Sequence, residues 1–298
     1  MNKYYIIYNP LACGNTAYEK ALALCDELKA EGIADMTKIT NYEAFLSDKT
    51  DCSIVVCGGD GTLHRFANDI SHINFPNDIY CCAFGTGNDF YREFESDEKL
   101  LCVTQYLRDL PVCQVNGTVR HFINGVGYGI DGYCCEVGDK LRALSKPVNY
   151  GKIAIKGLLY AFRPVSATVT VDGEKYEFRN VWIAPTMHGK YYGGGMIPTP
   201  EQSRTDPDNM LSVCVFHCRS RIKTLMMFPS IFKGEHIKYK KNVQVLKGKC
   251  INVKFNRSCS MQIDGETYLN INEYDAYGSG CAEYKASVVN KNMIFTKY

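Results

Sequence analysis

The residues best suited to chemistry form one run, Gly58-Gly59-Asp60-Gly61-Thr62-Leu63, set directly behind the apolar, mostly β-branched residues 53–57. Glycines let a backbone approach a ligand closely. A helix that begins at such a turn points unpaired N–H groups and the positive end of its dipole outward. That combination suits phosphate. A helical spacing does follow, in Leu63, Phe66, Ala67 and Ile70. The competing reading is a hairpin, because Asp60-Gly61 is a good type I′ turn pair. His64 and Arg65, which suit a strand poorly, argue against it. A second glycine run, Gly85-Thr86-Gly87-Asn88-Asp89, ends the apolar residues 78–84, and Asn9-Pro10 ends the apolar residues 3–8.

Strands and helices must position these turns. Residues 3–8 read as a strand, followed by a helix capped by Asn15 or Thr16, with Tyr18, Ala21, Leu22, Cys25 and Leu28 on its apolar face and Gly32 closing it. A strand over 34–40, a helix beginning at 42–46, a strand over 53–57, a helix over 62–70 and a strand over 78–84 follow. Strand alternating with helix predicts an α/β domain with a parallel sheet, whose ligands bind beyond the strand C-termini. All three turns fall on that edge. Beyond residue 111 the pattern changes to strands joined by hairpin turns, Asn116-Gly117, Asp172-Gly173 and Asp264-Gly265, with helices over 131–144, 149–162 and 219–232. This half predicts an antiparallel, sandwich-like β-rich domain. The resulting division is 1–118 with 285–298, where two apolar bursts return, and 119–284.

Composition narrows the class. The chain has 298 residues, 46% hydrophobic and 22% charged, enough for two domains and too apolar for long disorder. A net charge of +2 gives no general case for nucleic-acid binding. The fifteen cysteines include no CxxC spacing, and Cys214, His217 and Cys218 fit no zinc template well. With no signal-peptide pattern at Met1 and no apolar run of about 18 residues, the cysteines read as reduced and the protein as cytoplasmic. Residues 219–241 mix Arg219, Arg221, Lys223, Lys233, Lys238, Lys240 and Lys241 with apolar side chains. Such a stretch either packs on its own sheet, the favoured reading, or lies on an anionic membrane.

Taken together, Tyr8-Asn9-Pro10, the GGDGTL run, Gly85-Thr86-Gly87-Asn88-Asp89-Phe90-Tyr91-Arg92, residues 124–131 (NGVGYGID), Tyr192-Gly193-Gly194-Gly195-Met196 and Asp264-Gly265-Glu266 resemble the soluble lipid kinases, the family of bacterial diacylglycerol kinases and of the sphingosine and ceramide kinase cores. The resemblance implies two domains with the active site between them, and transfer of a phosphoryl group from ATP, with Mg2+, to a lipid hydroxyl, most simply that of diacylglycerol. ATP would rest on Asn9, Pro10, Thr40, Gly58, Gly59, Asp60, Gly61, Thr62, Leu63, His64, Gly85, Thr86, Asn88 and Asp89. Glu266 and Asp60 are the implied catalytic carboxylates, either able to take the acceptor proton. Val171-Asp172-Gly173-Glu174 repeats the DGE tripeptide, so position alone favours Glu266. Thr205, Asp208 and the Met210 backbone match a structural magnesium segment, with Asp206 as a fourth candidate; Asp131 matches the lipid head-group region, and Lys152 is a candidate phosphate contact. The partners implied are ATP and a lipid presented by a membrane, with peripheral attachment at the inner face; a homodimer is compatible.

The chain departs from that family at Cys13, at Asn209 in place of a glycine, and at His64-Arg65 where Asn-Glu is usual. Two further readings stay open on sequence: an NAD kinase, which shares GGDGT, and a nucleotide- or lipid-binding regulator without activity.

Overall fold

The computed structural model describes residues 3–13, 16–84, 88–94 and 98–284. They divide into two units, Met1–Leu110 and a second beginning at Pro111.

The first unit is built on a five-stranded sheet of order β2-β1-β3-β4-β5, from β1 (Lys3–Tyr8), β2 (Gly32–Asp35), β3 (Cys52–Gly58), β4 (Ile79–Ala83) and β5 (Leu101–Cys102). The pairings are parallel except for β5, which runs antiparallel to β4. Ile54, Val55, Val56 and Cys57 are all buried, as a central parallel strand covered on both faces requires. Helices α1 (Ala17–Leu28), α2 (Tyr42–Ser47) and α3 (Asp60–Ile70) connect the strands, and α4 (Asp89–Arg92) follows β4. The structure corrects the reading of α1. Its buried stripe is Ala17, Ala21 and Leu24, Tyr18 and Leu22 stand exposed, and Lys29 ends the helix in the left-handed region at φ 50°. Gly32 instead opens β2, where a Cβ would press on the Tyr5 ring at 2.7 Å. Residues 36–38 turn as a short 3-10 helix where the sequence pattern predicts strand.

The second unit carries a ten-stranded sheet. Its strands are β6 (Val112–Val115), β7 (Thr118–His121), β8 (Gly125–Tyr128), β9 (Val165–Val171), β10 (Glu174–Ile183), β11 (Thr186–Met187), β12 (Leu211–His217), β13 (Val243–Gly248), β14 (Cys250–Ile263) and β15 (Glu266–Tyr277). The pairings are antiparallel, in the order β7-β6-β15-β14-β8-β11-β12-β10-β9, with β13 on β12 and β14 also on β9. Because β6 pairs with β15 and β7, the hairpin at Asn116-Gly117 belongs wholly to this unit, and the boundary expected at 118/119 cuts through it. Helices α5 (Ile130–Ala143), α6 (Tyr150–Lys156) and α7 (Arg221–Met227) pack on the sheet; α6 runs into a π-helical turn, Gly157–Ala161, and α7 into a 3-10 helix, Phe228–Lys233. Trp182, Tyr128, Phe216 and Phe255 fill the core, with Tyr128 and Phe255 stacked at 3.7 Å. The glycine-rich residues 125–128, to which the sequence pattern assigns no element, form strand β8, buried throughout. All fifteen cysteines are free. Among the described residues no helix is long and apolar enough to cross a membrane. The expected return of 285–298 to the first domain lies outside the described residues.

Candidate phosphate-donor and acceptor sites

In the first sheet the order reverses between β1 and β3, and ligands of open α/β sheets gather beyond the strand ends at such a point. Asn9-Pro10 follows β1 there, and Gly58 ends β3 with Gly59 next to it. Hydrogen bonds join the turns into one wall. Asn9 accepts from the Leu11 N–H at 3.0 Å and donates its amide to Thr62 Oγ1 at 3.1 Å. The Phe84 N–H donates to the Gly58 carbonyl at 3.0 Å. The Asp60 carboxylate accepts from the backbone N–H groups of Asp89, 2.8 Å, and Phe90, 2.9 Å, so it caps α4 from outside that helix. Asn88, just before α4, is left-handed at φ 42°.

The two loop glycines differ. A Cβ on Gly58 would overlap the Thr62 side chain, whereas one on Gly61 would meet nothing within 4 Å. Gly58 is therefore required by the protein's own packing. Gly61 stands in open space at the first turn of α3, where a phosphate needs close approach. Leu63 and His64 face the core, 4% and 1% exposed, so these expected contacts could be made only through their backbone. Arg65 takes the solvent side and lies 3.8 Å from Asp69. The departure from Asn-Glu is thus accommodated by burying one residue and exposing the other. Beside the loops, Tyr8, Tyr18, Asp35, Lys38, Thr40 and Asn41 line an open groove of about 710 Å3, roomy enough for a nucleoside. Gly85 and Thr86 lie outside the described residues.

In the second unit a buried polar cluster surrounds β8. Asp264, in its turn at φ 45°, accepts from the N–H groups of Ile123 (2.6 Å), Asn124 (2.9 Å) and Gly125 (3.0 Å). The Arg204 guanidinium donates to the Ile123 carbonyl and, at 3.0 Å, to Asn124 Oδ1. Together these fix the entry to β8. Gly127 is obligatory, because the Asp131 carboxylate fills the place of its Cβ. Asp131, at the start of α5, is buried and accepts from its neighbour Gly132 N–H at 3.0 Å and from the Tyr192 hydroxyl at 3.2 Å. Burial pushes its carboxyl up to about 6, against which those hydrogen bonds pull it down. His188 is held the other way, down to about 3, by burial and the Arg204 charge. Tyr192 opens the three-glycine turn, whose Gly193, Gly194 and Gly195 all have positive φ. Glu266 is exposed at the first position of β15, beside the Asp264 turn. Lys152 is also exposed, on α6. Arg204, Tyr192 and the carboxylate of Asp264 carry this geometry, and nothing in their sequence spacing marks them as partners of Asn124 and Asp131.

The expected metal ligands fit a cation poorly. Asp206 is already engaged by Lys247 Nζ at 2.6 Å and by the Asp208 N–H at 2.9 Å, so it is not poised as a fourth ligand. The Met210 carbonyl accepts the Gln202 amide at 3.0 Å, and Thr205 Oγ1 pairs with Ser203 at 3.1 Å. Asp208 faces Lys249 at 3.9 Å. Two ammonium groups thus share this segment with the oxygens a hard cation would use. Nor do Cys214, His217 and Cys218 converge; Cys214 lies 3.7 Å from His236 instead.

Comparison with known proteins finds a family model for each half of the chain. Residues 3–113 match the diacylglycerol kinase catalytic domain, and residues 124–273 match the YegS C-terminal NAD kinase beta sandwich-like domain. A diacylglycerol kinase of Mycobacterium tuberculosis is 25% identical over 272 residues, 85% of each chain. One of Bacillus subtilis is 24% identical over 288 residues, 89% of this chain and 90% of that one. The crystal structure of a diacylglycerol kinase from Bacillus anthracis shares the fold, with a TM-score of 0.62 at 21% identity over 93% of this chain and 95% of that one. An N-terminal α/β domain carrying the linked glycine turns, followed by the matching β-rich domain over half of the chain, makes this protein an enzyme of the diacylglycerol kinase family of lipid kinases.

Proposed function

We propose that this kinase transfers the γ-phosphoryl group of ATP, bound as its magnesium complex, to the free hydroxyl of diacylglycerol, giving phosphatidic acid. The observation that supports it most is the wall of linked turns, Asn9 to Thr62 and Asp60 to Asp89 and Phe90, at the carboxyl edge of a parallel sheet. Phosphoryl transfer asks chiefly for positioning and charge neutralisation, and such a wall supplies both through backbone N–H groups. The nucleoside lies in the groove with Tyr8 and Thr40. Glu266 is the base that takes the hydroxyl proton, because it is exposed while both oxygens of Asp60 hold α4 in place. Asp131, whose raised carboxyl can donate a hydrogen bond as well as accept one, receives the polar end of the lipid. Magnesium serves the nucleotide's phosphates, and no step is assigned to residues 205–210.

The test is radiolabelled ATP with a panel of lipids in mixed micelles and with NAD as a soluble acceptor. Label in phosphatidic acid is expected. Label in another lipid would change the acceptor, label in NADP alone would replace the reading, and tight ATP binding with no labelled product would refute it.

A further inference from the structure

Large apolar side chains on a soluble protein are normally exposed singly and at scattered sites. Here fourteen are exposed among the described residues, and nine of them fall within 144–160 and 222–239. The sequence favours packing of residues 219–241 on their own sheet, and α7 does bury Thr224 and Met227, with Phe228 and Ile231 following. A second stripe is left outward. Ile155, Leu159, Tyr160, Ile222, Met226 and Phe232 each leave between 45% and 76% of their surface exposed. The π-helical turn contributes to this, because it buries Leu158 and presents Leu159 and Tyr160 together.

The two stripes lie on neighbouring elements. The Arg221 guanidinium donates to the carbonyls of Leu158, 2.9 Å, and Phe162, 3.0 Å, which staples α7 to the end of the π-helical turn. Charge on these segments is of one sign. Residues 144–163 and 219–233 contain Lys146, Lys152, Lys156, Arg163, Arg219, Arg221, Lys223 and Lys233 and no aspartate or glutamate, in a chain whose 34 cationic and 32 acidic residues nearly balance. Lys156 lies over the Tyr160 ring at 5.9 Å, its ammonium beside the apolar stripe.

We propose that α6, its π-helical turn and α7 form a docking face for an anionic lipid surface, with Ile155, Leu159, Tyr160, Ile222 and Met226 entering the acyl boundary and the lysines meeting headgroup phosphates. An apolar stripe edged by cations is the composition of an interfacial segment. A second copy of this chain is the poorer occupant, because a two-fold pairing of this face would set its cations against themselves. The proposal rests on the lipid-kinase reading only for its purpose: it gives the enzyme a way to stay where its acceptor is.

Sedimentation of the full chain with phosphatidylcholine vesicles, with and without phosphatidylglycerol, tests it. Wild type should pellet with the anionic vesicles and release as salt rises, each cation near the surface contributing roughly fivefold in partition. The double variant Ile222→Glu/Met226→Glu, and separately Leu159→Glu, should bind at least tenfold more weakly, while keeping the wild-type melting temperature and wild-type turnover of a short-chain, water-soluble diacylglycerol. Failure of the wild type to bind anionic vesicles, variants that bind as wild type does, or variants that merely convert a dimer to a monomer would each overturn the docking face. Short-chain turnover reports separately on the kinase reading: its absence beside intact vesicle binding refutes the acceptor and leaves the face standing.

Discussion

Asp60 and Glu266 can be separated by what each costs when altered. Asp60→Asn keeps one oxygen but turns an amide N–H toward a backbone N–H that the carboxylate now accepts at 2.8 or 2.9 Å. A hydrogen bond to a charged acceptor is worth about 1.5–3 kcal/mol in substitution series, and Asp60 is only part-buried, so a loss of about 2 kcal/mol is expected. For a unit of 110 residues that corresponds to a fall of roughly 8 °C in its transition. The freed α4 no longer holds Asn88 and Asp89 against the Gly58 turn, so KM for ATP should rise along with the loss of kcat. Glu266→Gln removes an exposed carboxylate and should leave the melting temperature within about 1 °C, while kcat falls by about 10²–10⁴ with KM for ATP unchanged. Calorimetry and initial-rate kinetics on the two variants read these out. An Asp60→Asn protein with wild-type stability and ATP affinity but no turnover would refute the positioning role and move the base to Asp60. A Glu266→Gln protein with undiminished kcat would remove Glu266 from the chemistry.

Other substitutions follow from the same geometry. Gly58→Ala should destabilise the first unit by pushing Thr62 off Asn9, whereas Gly61→Ala should leave the melting temperature unchanged or slightly raised and weaken ATP binding severalfold, as titration calorimetry would show; equal effects at the two positions would contradict the assignment of Gly61 to a ligand. The Asp131 carboxyl titrates at about 6 when folded against 3.8 unfolded, so between those values the folded state holds more protons and stability falls as pH rises. Asp131→Asn should therefore match wild type near pH 4 and exceed it by about 1–3 kcal/mol above pH 6.5, at the expense of activity; denaturant curves across that range check it, and a wild-type advantage at neutral pH would show that the charge is compensated. At residues 205–210, chelator should not shift the melting temperature and millimolar magnesium should not raise it, while Lys247→Met should lower it by exposing Asp206 to a lost partner.

The donor half was more legible than the acceptor half, for a physical reason. Glycine turns of this kind are local: strand, glycines and helix start are contiguous, so the strand and helix of residues 53–70 and the strand over 79–83 can be read directly from the chain. Fold class was legible for the same reason, through alternation in the first half and Asn-Gly and Asp-Gly turns in the second. The acceptor half depends on residues far apart in the chain. Gly125, Gly127 and Gly129 carry no element signal of their own, because glycine serves both turns and tight packing. Only the sheet shows that a Cβ on Gly125 would press on the Met187 sulfur at 2.7 Å and that Gly127 makes room for Asp131. At residues 205–210 the pattern of oxygen-bearing side chains suggests magnesium, but it cannot show that Lys247, 41 residues from Asp206, already brings positive charge to the segment.

The two DGE tripeptides show the limit most directly. Asp172 and Asp264 have φ of 48° and 45°, and Gly173 and Gly265 have φ of 90° and 93°, so both are the same tight turn. Both aspartates do the same work as well: Asp172 accepts from the Lys249 and Cys250 N–H groups, Asp264 from those of Ile123, Asn124 and Gly125. The turn therefore cannot distinguish Glu174 from Glu266. What differs is the strand each aspartate grips. Asp172 ties its hairpin to the start of β14, whereas Asp264 ties its own to the entry of β8, which runs four residues to Gly129 and directly into Asp131. Glu266 is thus placed by the same backbone that places the buried carboxylate proposed to meet the lipid. That shared anchor, rather than the tripeptide, is the physical basis for choosing it as the base.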